Sequence, residues 1–217
     1  MFLVNEIFTS FQGEGLKIGV PSLFVRLGKC NLKCTWCDTK YSWNEYKEYS
    51  LETLVNSVRY ILNSHTEISN LVITGGEPLL QEASLREFIH QIKDLVQSIE
   101  IETNGTVSSK NLLGQSKIFF NVSPKVGYYN TAILQEFRRS THTIFKFVCK
   151  TPEDVRSVVN LAINQDILRS QILISPEAVT CAEVSSVSKD ILPEVLRAGF
   201  RLTTRLHVIL WDRLRGV

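Results

Sequence analysis

The sequence predicts an α/β fold, an open, partial β/α barrel built on a mostly parallel sheet. Three observations point there. Short apolar runs alternate with amphipathic segments along the chain, as repeated strand–helix units do. Six or seven such units can be read, too few to close a barrel of eight. A polar or Gly/Pro-rich motif follows most of the apolar runs, at the strand ends where α/β folds hold ligands. A flat, doubly wound sheet is the second choice.

The elements follow in order. Ser22–Leu27 (SLFVRL) is the first expected strand and runs into Gly-Lys-Cys. Ser50 is placed to cap a helix with Leu51, Leu54, Val55, Val58, Ile61 and Leu62 on one face. Asn70–Thr74 (NLVIT) is the second strand and leads into Gly-Gly-Glu-Pro. Leu85, Phe88, Ile89, Ile92, Leu95 and Val96 form the next helical stripe. Ile99–Thr103 and Lys117–Val122 are strands ending in Asn-Gly-Thr and Ser-Pro-Lys. Thr143–Cys149 is a fifth strand. Thr151 caps the helix after it, with Pro152 at the first position and Glu153 and Asp154 near the positive dipole end. Val155, Val158, Val159, Ala162 and Ile163 face inward from it. Gln171–Ser175 is the sixth strand and precedes Ser-Pro-Glu. A helix begins near Ala182, with Pro193 expected to break or restart it, and a last strand lies near Leu202. One such rim motif would be ordinary turn chemistry; five on one rim mark a site.

A chain of 217 residues with 44% hydrophobic content suits one compact domain over 1–217. Its 24 basic and 22 acidic residues leave +2 and no long basic run, so nucleic-acid binding is not expected. No apolar run reaches membrane-spanning length, and the first ten residues lack a basic segment leading into one. A soluble, cytoplasmic protein is expected.

Five cysteines in that setting do not read as a disulfide framework. Cys149 reads as a small buried hydrophobe and Cys181 is assigned nothing. Cys30, Cys34 and Cys37 crowd into GKCNLKCTWCDT. A closed zinc site wants four ligands, and His65, His90, His142 and His207 are scattered. Iron–sulfur clusters accept thiolates from short loops of this kind. Three thiolates on a four-iron cubane leave one iron as an open coordination position. A three-cysteine zinc site closed by a distant residue is the alternative.

The CxxxCxxC spacing after the first strand, Trp36 before the third cysteine, and Gly75–Pro78 as GGEP resemble the radical S-adenosylmethionine (SAM) enzymes. The resemblance implies a partial barrel of the radical SAM type, with a 4Fe-4S cluster on Cys30, Cys34 and Cys37. It implies that SAM chelates the open iron and supplies a deoxyadenosyl radical that takes a hydrogen atom from substrate. Gly75 and Gly76 would let backbone groups approach the methionine.

The N-terminal segment is more specific. Gln12-Gly13-Glu14-Gly15 makes a tight turn suited to a flat polar heterocycle, and Arg26 offers a fork for a carboxylate. With EIFTSFQGEG, FVRLGKCNLKCTWCDT, TGGEP, ETNGT, SPK, RLHVILW and the final RGV, the chain resembles the 7-carboxy-7-deazaguanine synthase family nearly end to end. That resemblance implies conversion of 6-carboxy-5,6,7,8-tetrahydropterin to 7-carboxy-7-deazaguanine and ammonia, a ring contraction on the route to queuosine and related 7-deazapurines. It places Phe11, Gln12, Gly13, Glu14, Arg26, Thr74, Ser175, Pro176, His207 and Val217 against substrate. It places Trp36, Cys37, Asp38, Gly76, Ser123, Pro124 and Lys125 against SAM, and Thr39 on a magnesium ion. It further implies a flavodoxin- or ferredoxin-like electron donor and a homodimer. An activating enzyme for a glycyl-radical protein would share the cysteine loop but not QGEG, Arg26 or RLHVILW. A non-catalytic iron–sulfur protein remains the rival outside catalysis.

Overall fold

The computed structural model describes every residue except Val126. Its frame is one nine-stranded sheet in the order β3-β1-β2-β4-β5-β6-β7-β8-β9. The strands are β1 (Phe2–Phe11), β2 (Pro21–Leu27), β3 (Lys47–Tyr49), β4 (Asn70–Gly75), β5 (Ser98–Thr103), β6 (Ile118–Val122), β7 (Thr143–Cys149), β8 (Ile172–Pro176) and β9 (Arg201–Leu202). From β2 onward along that order every neighbour is parallel; β1 pairs antiparallel with β2 and with β3. The sheet does not close, so the architecture is an open β/α arrangement.

Helices α1 (Leu51–Ser64), α2 (Glu82–Ile92), α3 (Thr131–Arg138), α4 (Pro152–Asn164), α5 (Cys181–Ala198) and α6 (Leu206–Trp211) complete the chain. Their starts follow local chemistry. The Ser50 hydroxyl accepts from the Thr53 N–H, and Asn130 caps α3. Thr151 with Asp154, and Thr180 with Glu183, form reciprocal capping boxes. Pro193 does not break α5 as expected: the helix runs through it to Gly199, which ends it at φ 67°. Ile191 and Val195 on either side are buried, and that packing offsets the one backbone bond a proline removes.

The parallel strands carry different chemistry on their two faces. Leu23, Val25 and Leu27, Leu71 and Ile73, Ile99 and Ile101, Phe120 and Val122, Phe145 and Phe147, and Ile172 and Ile174 all belong to the apolar core. These are alternate positions, so they share the sheet face packed beneath the helices. The intervening positions face the other way, and many are polar. Ser22, Asn70 and Ser98 form a buried chain, Asn70 donating to Ser22 (2.9 Å) and Ser98 to Asn70 (2.7 Å). Nearer the C-terminal strand ends come Arg26, Thr74, Glu100, Glu102, Asn121, Lys146 and Ser175. Among the described residues no helix is long and apolar enough to cross a membrane.

Candidate active site

The cysteine loop leaves β2 and is held down by backbone, which explains its glycines. Gly76 N–H donates to the Leu27 carbonyl (3.0 Å) and Glu77 N–H to the Lys29 carbonyl (2.8 Å). A Cβ on Gly76 would lie 2.0 Å from the Lys29 oxygen, and one on Gly75 2.1 Å from the Leu27 oxygen. Gly75 also sits at φ +141°. The two glycines thus let the cysteine loop itself approach β4, a tighter demand than the room for methionine expected from sequence.

Glu77, the acid of GGEP, was given no role from sequence and turns out fully buried. One oxygen accepts from Leu79 N–H (3.0 Å) and the Thr103 hydroxyl (2.8 Å), and the other from Asn104 N–H (2.7 Å). It ties the ends of β4 and β5 together; burial raises its carboxyl to about 6 against these three donors. Asn104 and Thr106 of the Asn-Gly-Thr motif then brace the cysteine loop through Asn31, at 3.0 and 2.7 Å.

The thiols fit an iron–sulfur cluster. Cys30, Cys34 and Cys37 are each half-buried and free of disulfides. Leu32 N–H (3.4 Å) and the Asn104 side-chain amide (3.9 Å) are directed at the Cys30 sulfur, as donors are at cluster thiolates. Burial, with the neighbouring thiols adding to it, pushes Cys30 and Cys34 upward, so thiolates here call for a bound metal charge. Lys125, held by Ser123 (2.8 Å), is a nearby cation whose own value is lowered by burial and supported by all three cysteines. Among the described residues no three His, Cys, Asp or Glu side chains gather around a single ion position. A cubane takes one thiolate per iron and so accepts a more open set. Thr39 Oγ1 lies 3.6 Å from the Cys37 sulfur, which puts its hydroxyl beside the thiols of this loop. Trp36 is exposed on the same loop.

A buried ionic network joins this loop to both ends of the chain. Arg205 sits at its centre: its Nε donates to Glu14 (2.6 Å), and its terminal nitrogens reach Asp38 and the Ala178 carbonyl. The other Glu14 oxygen pairs with Lys146 of β7. Burial works against the Asp38 carboxylate, but the charge and hydrogen bond of Arg205 prevail and hold it low. Burial, then the Arg205 charge, push the Lys146 ammonium down to about 7, and the contact with Glu14 works the other way. His207 lies 3.5 Å from Arg205 and is pushed by burial, then by the Arg205 charge, to about 4, so it is neutral at pH 7. A Cβ on Gly13 would meet His207 Nδ1 at 2.1 Å, so this glycine lets the histidine lie against the turn.

The remaining expected residues divide. Gln12 is buried and donates to Glu100 (3.0 Å) and Glu102 (3.2 Å), while Thr74 donates to Glu102 (2.7 Å). Burial, then the neighbouring Glu102, raise Glu100 to about 8. Arg26 lies opposite Glu6 in the β1–β2 register and bonds it at 2.7 Å, with its charge also reaching Asp38 and His207. Ser175 is fully buried at the end of β8 with its hydroxyl unpartnered among the described residues, and Pro176 closes that strand. Phe11 is exposed at the end of β1. Pro124 is buried between Ser123 and Lys125, and Val217 is half-buried. Sequence reasoning passed over Glu77, Glu100, Glu102, Asn121, Lys146 and Arg205. The alternation in IEIET, IFFNV and TIFKFV carried a signal for four of them, since a polar residue every second position in a parallel strand marks an unusual inner face.

Comparisons with known proteins agree with this geometry. The Radical SAM superfamily matches residues 25–145. A 7-carboxy-7-deazaguanine synthase of Pyrobaculum aerophilum is 35% identical over 220 residues, covering 98% of this chain and 96% of the relative. The crystal structure of QueE from Escherichia coli has a similar fold, with a TM-score of 0.73 at 23% identity over 95% of this chain and 94% of that one. SuiB of Streptococcus suis bound to S-adenosylmethionine shares the fold at TM-score 0.56 and 12% identity, over 81% of this chain and 44% of that one.

Proposed function

The chain belongs to the 7-carboxy-7-deazaguanine synthase family within the radical SAM superfamily, and from that membership we propose that it converts 6-carboxy-5,6,7,8-tetrahydropterin to 7-carboxy-7-deazaguanine and ammonia. All 217 residues then act as one radical SAM domain whose N- and C-terminal segments cap the substrate. The observation that carries the reading is the joining, through Arg205, of Asp38 on the cysteine loop, Glu14 of QGEG and the C-terminal segment with His207. These are the parts a generic radical SAM core does not need.

Cys30, Cys34 and Cys37 would hold the 4Fe-4S cluster, and Trp36, Asp38, Gly76 and the Ser123-Pro124-Lys125 turn would surround SAM. The chemistry that cluster and SAM would supply when bound is reversible hydrogen-atom abstraction at the pterin carbon beside its carboxylate. The chain's own residues bind and orient. Arg26 receives the substrate carboxylate in its planar fork. Gln12, Glu102 and Thr74 form a polar wall whose acceptors suit the N–H groups along one edge of a pterin. His207, neutral at pH 7, offers both a donor and an acceptor without adding charge. Phe11 covers a ring face, while Ser175, Pro176 and Val217 close the far side. Thr39 would hold a magnesium ion by its hydroxyl, the hard oxygen ligand that ion prefers, and the ion would supply a positive charge for substrate oxygens. A flavodoxin- or ferredoxin-like donor supplies the electron, and the enzyme works in the cytoplasm as a homodimer.

The test is product identity. Anaerobic, cluster-loaded protein with reductant, SAM, magnesium and the carboxypterin should yield the carboxylated deazapurine by mass. An intact cluster with no such product overturns the assignment.

A further inference from the structure

Glu6 lies outside every role given above, yet three donors converge on it. Its Oε1 accepts from Arg26 Nε at 2.7 Å and from the Tyr41 hydroxyl at 3.2 Å. Its Oε2 accepts from Arg215 Nε at 3.3 Å. Glu6 and Arg26 are well buried, with side chains 17% and 14% exposed. Arg215 continues outward to Glu45 (2.9 Å) and Asn5 (3.3 Å) and lies over the Tyr41 ring, 3.7 Å from its centre. The Gly216 backbone passes close by, a Cβ there being 3.8 Å from Glu6 Oε2. The last residues are thus fastened to the start of β1 and to the turn that follows the cysteine loop.

In the buried half of this cluster Glu6 and Arg26 balance one another, and Arg215, 42% exposed, is shared between Glu6 and Glu45. Glu45, the other acid on Arg215, is 59% exposed and screened by water. A second carboxylate arriving at Arg26 would compete with Glu6, draw Arg26 from it and leave the Glu6 oxygens to Arg215 and Tyr41. We propose that Glu6 is a positioning residue that couples carboxylate binding at Arg26 to seating of the C-terminal segment by Arg215. The proposal rests on the substrate reading above, in which Arg26 takes the pterin carboxylate. It gives the enzyme a reason to close only over a carboxylated ligand: an uncharged pterin would leave Arg26 on Glu6 and the tail less firmly held.

Amide hydrogen exchange of the segment 206–217, followed by mass spectrometry on cluster-loaded protein, reads the coupling without turnover. In ligand-free protein Glu6→Gln should speed exchange of this segment by about 2- to 5-fold, the effect of a partly exposed ion pair. Unchanged exchange would overturn the proposal. With the carboxypterin bound, the wild type should protect the segment further, and the pterin lacking its carboxylate should protect it less. Glu6→Gln should lose that difference while still binding the carboxypterin, and Glu6→Asp should restore part of it. A merely structural Glu6 would slow exchange equally with both ligands; equal protection by the two pterins therefore also overturns the proposal. A wild type that binds neither pterin refutes the substrate reading and the coupling with it. That outcome is distinguishable, because the ligand-free comparison would still show the tail loosened by Glu6→Gln. In steady state Glu6→Gln should raise KM for the carboxypterin more than it lowers kcat, the mark of binding energy lost with the unseated segment.

Discussion

Glu100→Gln should stabilise the fold, and increasingly so as pH rises. Glu100 is 2% exposed, and burial, with Glu102 beside it, lifts its carboxyl from 4.5 to about 8. A carboxyl raised above its unfolded value lowers stability wherever the unfolded chain has already lost its proton. The window runs from about 4.5, where the unfolded residue ionises, to about 8, where the folded one follows. Linkage over that window gives a penalty of about 1 kcal/mol at pH 5, growing to about 4 kcal/mol at pH 8. Glutamine removes it with little change of shape. Gln12 would keep an oxygen to donate to, and the new amide N–H, on the side facing Asn121, finds an acceptor in Asn121 Oδ1, buried and unpartnered among the described residues, once that amide turns. Urea unfolding of the metal-free protein at pH 5, 6.5 and 8 reads this as a midpoint shift at constant slope. Glu77, which titrates in the lower part of the window, is common to both proteins and drops out of the difference. A gain that does not grow with pH, or a loss at pH 8, would refute the charge assignment at Glu100.

Arg205→Leu should act in the opposite sense, since it strands Asp38 and removes one of the two cations on Glu14. The loss should be about 3 kcal/mol at pH 7, the low end for breaking a buried pair because Lys146 remains on Glu14 and Asp38 is partly exposed. It should shrink as pH falls below the ordinary aspartate range, where Asp38, held low chiefly by Arg205, becomes protonated; a loss independent of pH would be inconsistent with that pairing. Cys34→Ala should leave the cluster unbuilt, seen as missing visible absorbance and iron far below four per chain, and full iron and sulfide in that variant would remove Cys34 from the ligand set. Thr39→Ala should flatten the dependence of product formation on magnesium, and an unaltered magnesium titration would clear Thr39 of that role.

Legibility in the sequence divides by the distance over which a residue acts. Ser50, Thr151 and Pro152 were readable because a cap works within one helical turn. The cysteine loop was readable because its three cysteines lie within eight residues. β1 was not read as a strand, and the reason is local too. Its register slips between Val4 and Glu6, and that irregularity breaks the period of two that would have announced it. The inner face was missed for a different reason. Glu100 and Glu102 lie on β5, Asn121 on β6 and Lys146 on β7, and only the parallel register sets them side by side. Arg205 and Glu14 are farther apart still, 191 positions in sequence, and nothing local at either end names the other.

That long-range network is a poor device for stability alone. Four charges, Asp38, Arg205, Glu14 and Lys146, sit in or against the interior, where apolar side chains of similar volume would hold the same elements at least as firmly. What apolar packing cannot do is fix direction. A guanidinium bound to two carboxylates and a carbonyl defines the relative position of three segments far apart in the chain: the loop after Cys37, the turn at Glu14 and the start of α6. Those segments carry the residues assigned to cofactor, to pterin and to the closing histidine. A reaction that moves one hydrogen atom between two bound molecules depends on their separation far more than on the total stability of the fold. The two substitutions separate the energetics: Glu100→Gln tests what an uncompensated buried charge costs, Arg205→Leu what breaking a buried pair costs.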